Sequence, residues 1–110
     1  MLNPEEFRAE LQKLPGFARE IIIRMRSFTA RNGDSYGAAV YKQLNPRTAA
    51  LKAHTADLRI HRLLNDFPNR VLKASEAFYT ATGVDVPTLC QTAAQNVVDE
   101  IIKLLESPDG

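Results

Sequence analysis

An all-α fold, a compact single-domain bundle of five or six helices, follows from three observations on this 110-residue chain. Apolar residues recur at three- and four-residue spacing along most of its length. No strand-like alternation of useful length interrupts them. Asn-Pro pairs and glycines then divide the periodic stretches into segments joined by short links, which favour antiparallel neighbours. The 45% hydrophobic and 25% charged content is that of a folded globular domain and excludes general disorder.

Asn3-Pro4-Glu5-Glu6 opens the first helix. Asn3 can cap it, Pro4 suits the first helical position, and the two acids favour the positive end of the helix dipole. Leu2 and Phe7 stand at hydrophobic-staple spacing across that cap. Phe7, Leu11 and Leu14 form one stripe, and Pro15-Gly16 is expected to break the helix. A second helix is expected from about Phe17 to Arg31, with Ala18, Ile21, Ile22, Met25 and Phe28 on its core side. Asn32-Gly33 stops it. A short third helix, capped by Asp34 or Ser35, carries Tyr36, Val40 and Leu44.

Asn45-Pro46 repeats the first start signal and is expected to open the longest helix, over residues 46–66. Its core stripe would be Ala49, Ala53, Ala56, Ile60, Leu63 and Phe67, the alanines allowing a close helix approach. Phe67-Pro68 should force a bend, because the residue before proline is disfavoured in the helical region. A fifth helix over about 69–82 would set Val71, Ala74, Phe78 and Ala81 on one flank and Leu72 and Tyr79 on another, with Gly83 at its end. The last helix starts near Pro87 or Thr88, with Asp85 a rival cap, and ends near Glu106. Cys90, Ala94, Val97 and Ile101 run down the centre of its apolar half. Residues 107–110 read as a frayed tail.

Opposite the alanine stripe of the expected long helix lies a second one: Leu51, His54, Leu58 and His61, bordered by Arg47 and Arg62. Either this helix is central and covered on both sides, or the two leucines are exposed and receive a protein partner or a second copy of the chain. In that case the leucines are the apolar anchors and the arginines the rim.

The net charge of +1 hides an asymmetry. Residues 19–73 carry eleven Lys/Arg against four Asp/Glu, whereas residues 74–110 carry one against six. Nucleic acid is therefore the alternative partner, with Arg24, Arg26, Arg31, Lys52, Arg59 and Arg62 as phosphate contacts and Tyr36 and Tyr41 available to stack on unpaired bases. The competing explanation is internal: the acidic last helix packs beside the basic ones.

Catalytic patterns are missing. The chain has no Gly-x-Gly-x-x-Gly, no phosphate loop, no Gly-x-Ser-x-Gly and no His-Glu-x-x-His. His54, Asp57 and His61 have helical spacing that puts Asp57 within reach of both rings. The two histidines, however, lie two turns apart, about 10–11 Å along the axis, too far to share one ion easily. Cys90 sits within an apolar stripe and reads as a core residue rather than a nucleophile. The expectation is a non-catalytic protein with neither cofactor nor metal. No apolar run approaches the ~18–20 residues that span a bilayer, and Met1-Leu2-Asn3-Pro4-Glu5-Glu6 lacks the basic, apolar start of a signal peptide. With a single cysteine this fits a reducing, cytoplasmic setting.

Overall fold

Helix starts are set by side chains that accept from otherwise unpaired backbone N–H groups, and three of the expected starts are used. In the computed structural model, which describes residues 2–28, 33–77 and 83–106, α1 spans Pro4–Gln12. The Asn3 side chain accepts from the Glu6 N–H at 2.8 Å, and the Glu6 carboxylate accepts from the Asn3 N–H at 3.2 Å, a reciprocal capping box. Ser35 opens α3 (Tyr36–Lys52), its hydroxyl accepting from the Ala38 N–H at 3.1 Å. Asp85 opens α5 (Val86–Glu106): it accepts from both the N–H and the hydroxyl of Thr88, so Thr88 is the third helical residue and not the cap. Gly33 adopts a left-handed φ of 77°, which a residue without a Cβ takes at no steric cost.

One expected break is displaced by two residues and two others do not occur. Pro15-Gly16 lies inside the first turn of α2 (Leu14–Arg24), where proline has no intrahelical N–H bond to lose, and the junction with α1 is the single residue Lys13. A 3₁₀ turn, Met25–Ser27, follows α2. Helix α3 runs straight through Asn45-Pro46. Val40, Leu44, Thr48 and Leu51 form one buried row across the proline, and the Thr48 hydroxyl donates to the Asn45 carbonyl at 2.9 Å. Likewise α4 (Leu58–Ser75) continues through Phe67-Pro68, both buried between Leu64 and Val71. Continuous burial of a helical row outweighs the local preference of these prolines for a boundary.

The expected helix over 46–66 is therefore two half-helices divided at residues 53–57. Asp57 caps α4, accepting from the Arg59 N–H at 2.9 Å. With the chain turned there, the alanine stripe is no core: Ala49, Ala53 and Ala56 are exposed, while Leu51, from the stripe expected opposite, is buried.

Among the described residues the result is a bundle of four helices, α2 to α5, with the nine-residue α1 packed against it, where five or six helices were expected. No strand occurs among the described residues. Helix α5 packs along both α2 and α4, and α3 lies against α4. The Cys90 thiol donates to the Val71 carbonyl at 3.5 Å, joining the start of α5 to the later half of α4, so these two helices run antiparallel. One core unites Phe7 and Leu11 of α1, Leu14, Ala18, Ile21 and Ile22 of α2, and the inner rows of α3, α4 and α5. Within α5, Cys90, Ala94, Val97, Val98 and Ile101 are all fully buried. Residues 29–32 and 78–82 lie outside the described residues, so the expected roles of Arg31, Phe78, Tyr79 and Ala81 have no structural counterpart; nor has the tail at 107–110.

Candidate functional site

The corner between α3 and α4 is held by side chains from both sides of the turn. The Asp57 N–H donates to the Thr55 hydroxyl at 3.2 Å. Arg59 donates to both oxygens of Asp57, from Nε at 3.2 Å and from Nη2 at 2.9 Å. This clasp holds the Asp57 carboxyl below its usual range, chiefly through the Arg59 side-chain hydrogen bonds, and raises Arg59 correspondingly. His61 reaches back over the turn, with Nε2 2.6 Å from the Thr55 carbonyl, so Nε2 carries the proton in that bond. On the other side the Leu2 N–H donates to His54 Nδ1 at 3.1 Å, which ties the start of α1 to the same corner.

Leu58 stands between the clasped Asp57 and Arg59 and is 70% exposed, the most exposed large hydrophobic residue described. Exposed Ala53 and Ala56 precede it, and exposed Arg62 follows one turn along α4. An apolar residue in solvent is unremarkable alone, but this one is fixed by a capped, cross-braced turn, together with neighbouring small apolar residues.

The six residues expected to form one contact stripe divide accordingly. Leu58 and Arg62 belong to the exposed corner, and His54 and His61 serve its bracing. Leu51 is in the core, because α3 ends at Lys52 and the face it shares with Leu44 points inward. Arg47 lies away from the corner, with its guanidinium carbon 4.3 Å from the centroid of the Phe17 ring, a cation–π contact between α3 and α2. Asp57 does not bridge the two histidines, since it caps α4 and holds Arg59. Among the described residues no group of three or more His, Cys, Asp or Glu could hold a metal ion.

The expected phosphate contacts fall into two groups, Arg24 and Arg26 at the end of α2 and Lys52, Arg59 and Arg62 at the α3–α4 corner. Arg26 lines the same cavity as Ser75, at the C-terminal end of α4. Arg59 and Arg62 are in that helix's first two turns, roughly 20–24 Å away along its axis. Arg24 is 3.6 Å from Glu20, Arg59 is clasped by Asp57, and Lys52 donates to Asn65 at 2.6 Å. The Tyr36 ring packs edge-on against Phe28, with centroids 5.8 Å apart. Part of the charge asymmetry is absorbed internally, since Glu100 of α5 pairs with Arg70 of α4, whereas Glu106 pairs at 3.1 Å with Arg8, outside the basic stretch. No described helix is long and apolar enough to cross a membrane.

Cys90 is fully buried, and burial pushes its thiol up to about 11. Sequence reasoning missed the Thr55-x-Asp57-x-Arg59 clasp. Its only local signal is an Asp two residues after a Thr, without the Glu or Gln three positions later that would complete a capping box. The chain matches no protein-family model, no curated protein and no solved structure.

Proposed function

We propose that this protein is a non-catalytic interaction module that docks a protein partner on the α3–α4 corner, with Leu58 as anchor, Ala53 and Ala56 as flanking apolar surface and Arg62 on the rim. The observation that carries this reading is Leu58 itself, 70% exposed on a turn braced by Thr55, Asp57, Arg59 and His61. A turn whose backbone is already braced has less conformational freedom to lose on binding, which lowers the ordering cost of burying Leu58. Across residues 52–62 three Lys/Arg face one Asp, which suits a partner with an apolar recess and an acidic rim. Two copies meeting corner to corner would oppose like charges, which disfavours the symmetric dimer. The distance between the two groups of arginines favours a protein partner over nucleic acid.

The test compares immobilised wild-type protein with Leu58→Asp and Arg62→Glu in capturing partners from a lysate, with analytical ultracentrifugation for self-association. Expected is a defined partner lost with both variants while circular dichroism and thermal unfolding stay unchanged. Equal capture by all three proteins would overturn the corner as the docking surface. A wild-type dimer dissociated by Leu58→Asp would replace the foreign partner with a second copy.

A further inference from the structure

At the opposite end of the bundle, α2, α3, α4 and α5 leave a cavity of about 640 Å³. Its lining is largely apolar, with Ile22, Met25 and Phe28 from one chain segment and Val84, Val86 and Pro87 from another. The volume falls in the ~300–1,000 Å³ range of small-molecule sites. Among the described residues its polar side chains are those of Tyr36, Ser75 and Arg26. Ser75 is buried, but its hydroxyl already donates to the Leu72 carbonyl at 2.6 Å. The lining's one charged side chain is Arg26, exposed and without an ion-pair partner among the described residues. The acid nearest in influence, Asp85, is already engaged: its carboxylate accepts from the N–H and hydroxyl of Thr88, and these bonds, more than Arg19 or Arg26, hold it ionised.

A largely apolar cavity bordered by one cation that makes no ion pair among the described residues suits a ligand with an apolar body and a single negative head. We infer that this cavity binds a hydrophobic monocarboxylate of medium chain length, its hydrocarbon between α2 and α5 and its carboxylate on the Arg26 guanidinium. The shape of the site separates this from simple anion binding. A small anion would meet only one exposed arginine, whose pairing in water is weak. The chain must contribute through burial, at about 0.8 kcal/mol per CH₂, or close to fourfold in affinity.

The experiment measures binding of acetate, hexanoate and decanoate, below the micellar concentration, and of 1-decanol, by calorimetry and by displacement of an environment-sensitive fluorophore. The full chain is used, as wild type, Arg26→Ala and Val84→Trp. Affinity is expected to rise steeply with chain length and acetate not to bind measurably. Arg26→Ala should weaken decanoate about two- to fivefold and leave decanol unchanged, an exposed charge pair being worth no more. Val84→Trp, at a half-buried loop position, should fill the cavity and abolish both ligands while thermal unfolding remains cooperative. Absence of saturable decanoate binding overturns the site, as does binding unchanged by Val84→Trp. Decanoate lost with Val84→Trp but unaffected by Arg26→Ala overturns the carboxylate as the recognised head.

Discussion

Leu51 and Leu58 are seven residues apart, the spacing that sets two side chains on one face of a continuous helix, yet Leu51 is 3% exposed and Leu58 is 70% exposed. The turn at residues 53–57 separates them, so that one is the last core residue of α3 and the other the first residue of α4. Truncation should report this difference directly. Leu51→Ala is expected to destabilise the fold by about 2–5 kcal/mol. Leu58→Ala should stay within about 0.5 kcal/mol, as at ordinary surface positions. Urea denaturation of the two variants decides it, and equal losses would put both residues in the core.

The corner's clasp has an acid limit. Asp57 is held below its ordinary value by Arg59, so its stabilising effect is present above the carboxylate's unfolded pKa and disappears as pH falls through the depressed folded value. Amide exchange at Leu58, Arg59 and Ile60 should quicken in that acid window, well before the core amides of α5. Asp57→Ala should show the quickened exchange already at pH 7 and lose its further acid dependence.

Cys90 predicts an alkaline effect of the opposite sign. Burial raises its thiol from an ordinary 9.0 to about 11, so the unfolded chain ionises first. The stability this contributes is complete below the unfolded value and is lost between about pH 9 and 11. Cys90→Ala should remove that alkaline slope, at the cost of a small cavity. In the wild type at pH 8, an aromatic disulfide reagent should react at the rate of unfolding, not at the rate of an exposed thiol.

Pro46 sits within α3 on an exposed turn and leaves the Lys42 carbonyl without its helical donor. Pro46→Ala restores that N–H. The change should stabilise the protein by about 2–2.6 kcal/mol, the ~3 kcal/mol interior penalty of proline less the ~0.4–1 kcal/mol of entropy that proline removes from the unfolded chain. Thermal unfolding measures it, and a lower melting temperature would place α3's boundary at the proline after all.

Much of the helical content was legible because capping and periodicity are local. Asn3, Ser35 and Asp85 accept from backbone N–H groups within four residues, and Phe7, Leu11, Val40, Leu44, Val97 and Ile101 repeat at helical spacing, so their burial could be read from the chain. The candidate site was legible only in pieces. Leu58 and Arg62 stood out as apolar anchor and cationic rim, but the face they share with Leu51 and Arg47 does not exist once the chain turns at residues 53–57.

The sequence by itself determined a helical chain, the Asn3 cap of α1 and the burial of Cys90, and it left Asp34 or Ser35, and Thr88 or Asp85, open as the caps of α3 and α5. Only the tertiary structure decided where helices end. Pro46 and Pro68 are helix breakers by local energetics, of the order of ~3 kcal/mol each, and they are overruled because a continuous row of core contacts spans each of them. Ala53 to Asp57 would continue a helix by propensity, yet the chain turns there, because the Asp57–Arg59 clasp and the Thr55 bonds satisfy the turn's polar groups while Leu51 and Ile60 enter one core from different helices. Burial is shared among distant segments, and a local pattern carries no record of which neighbour will cover it.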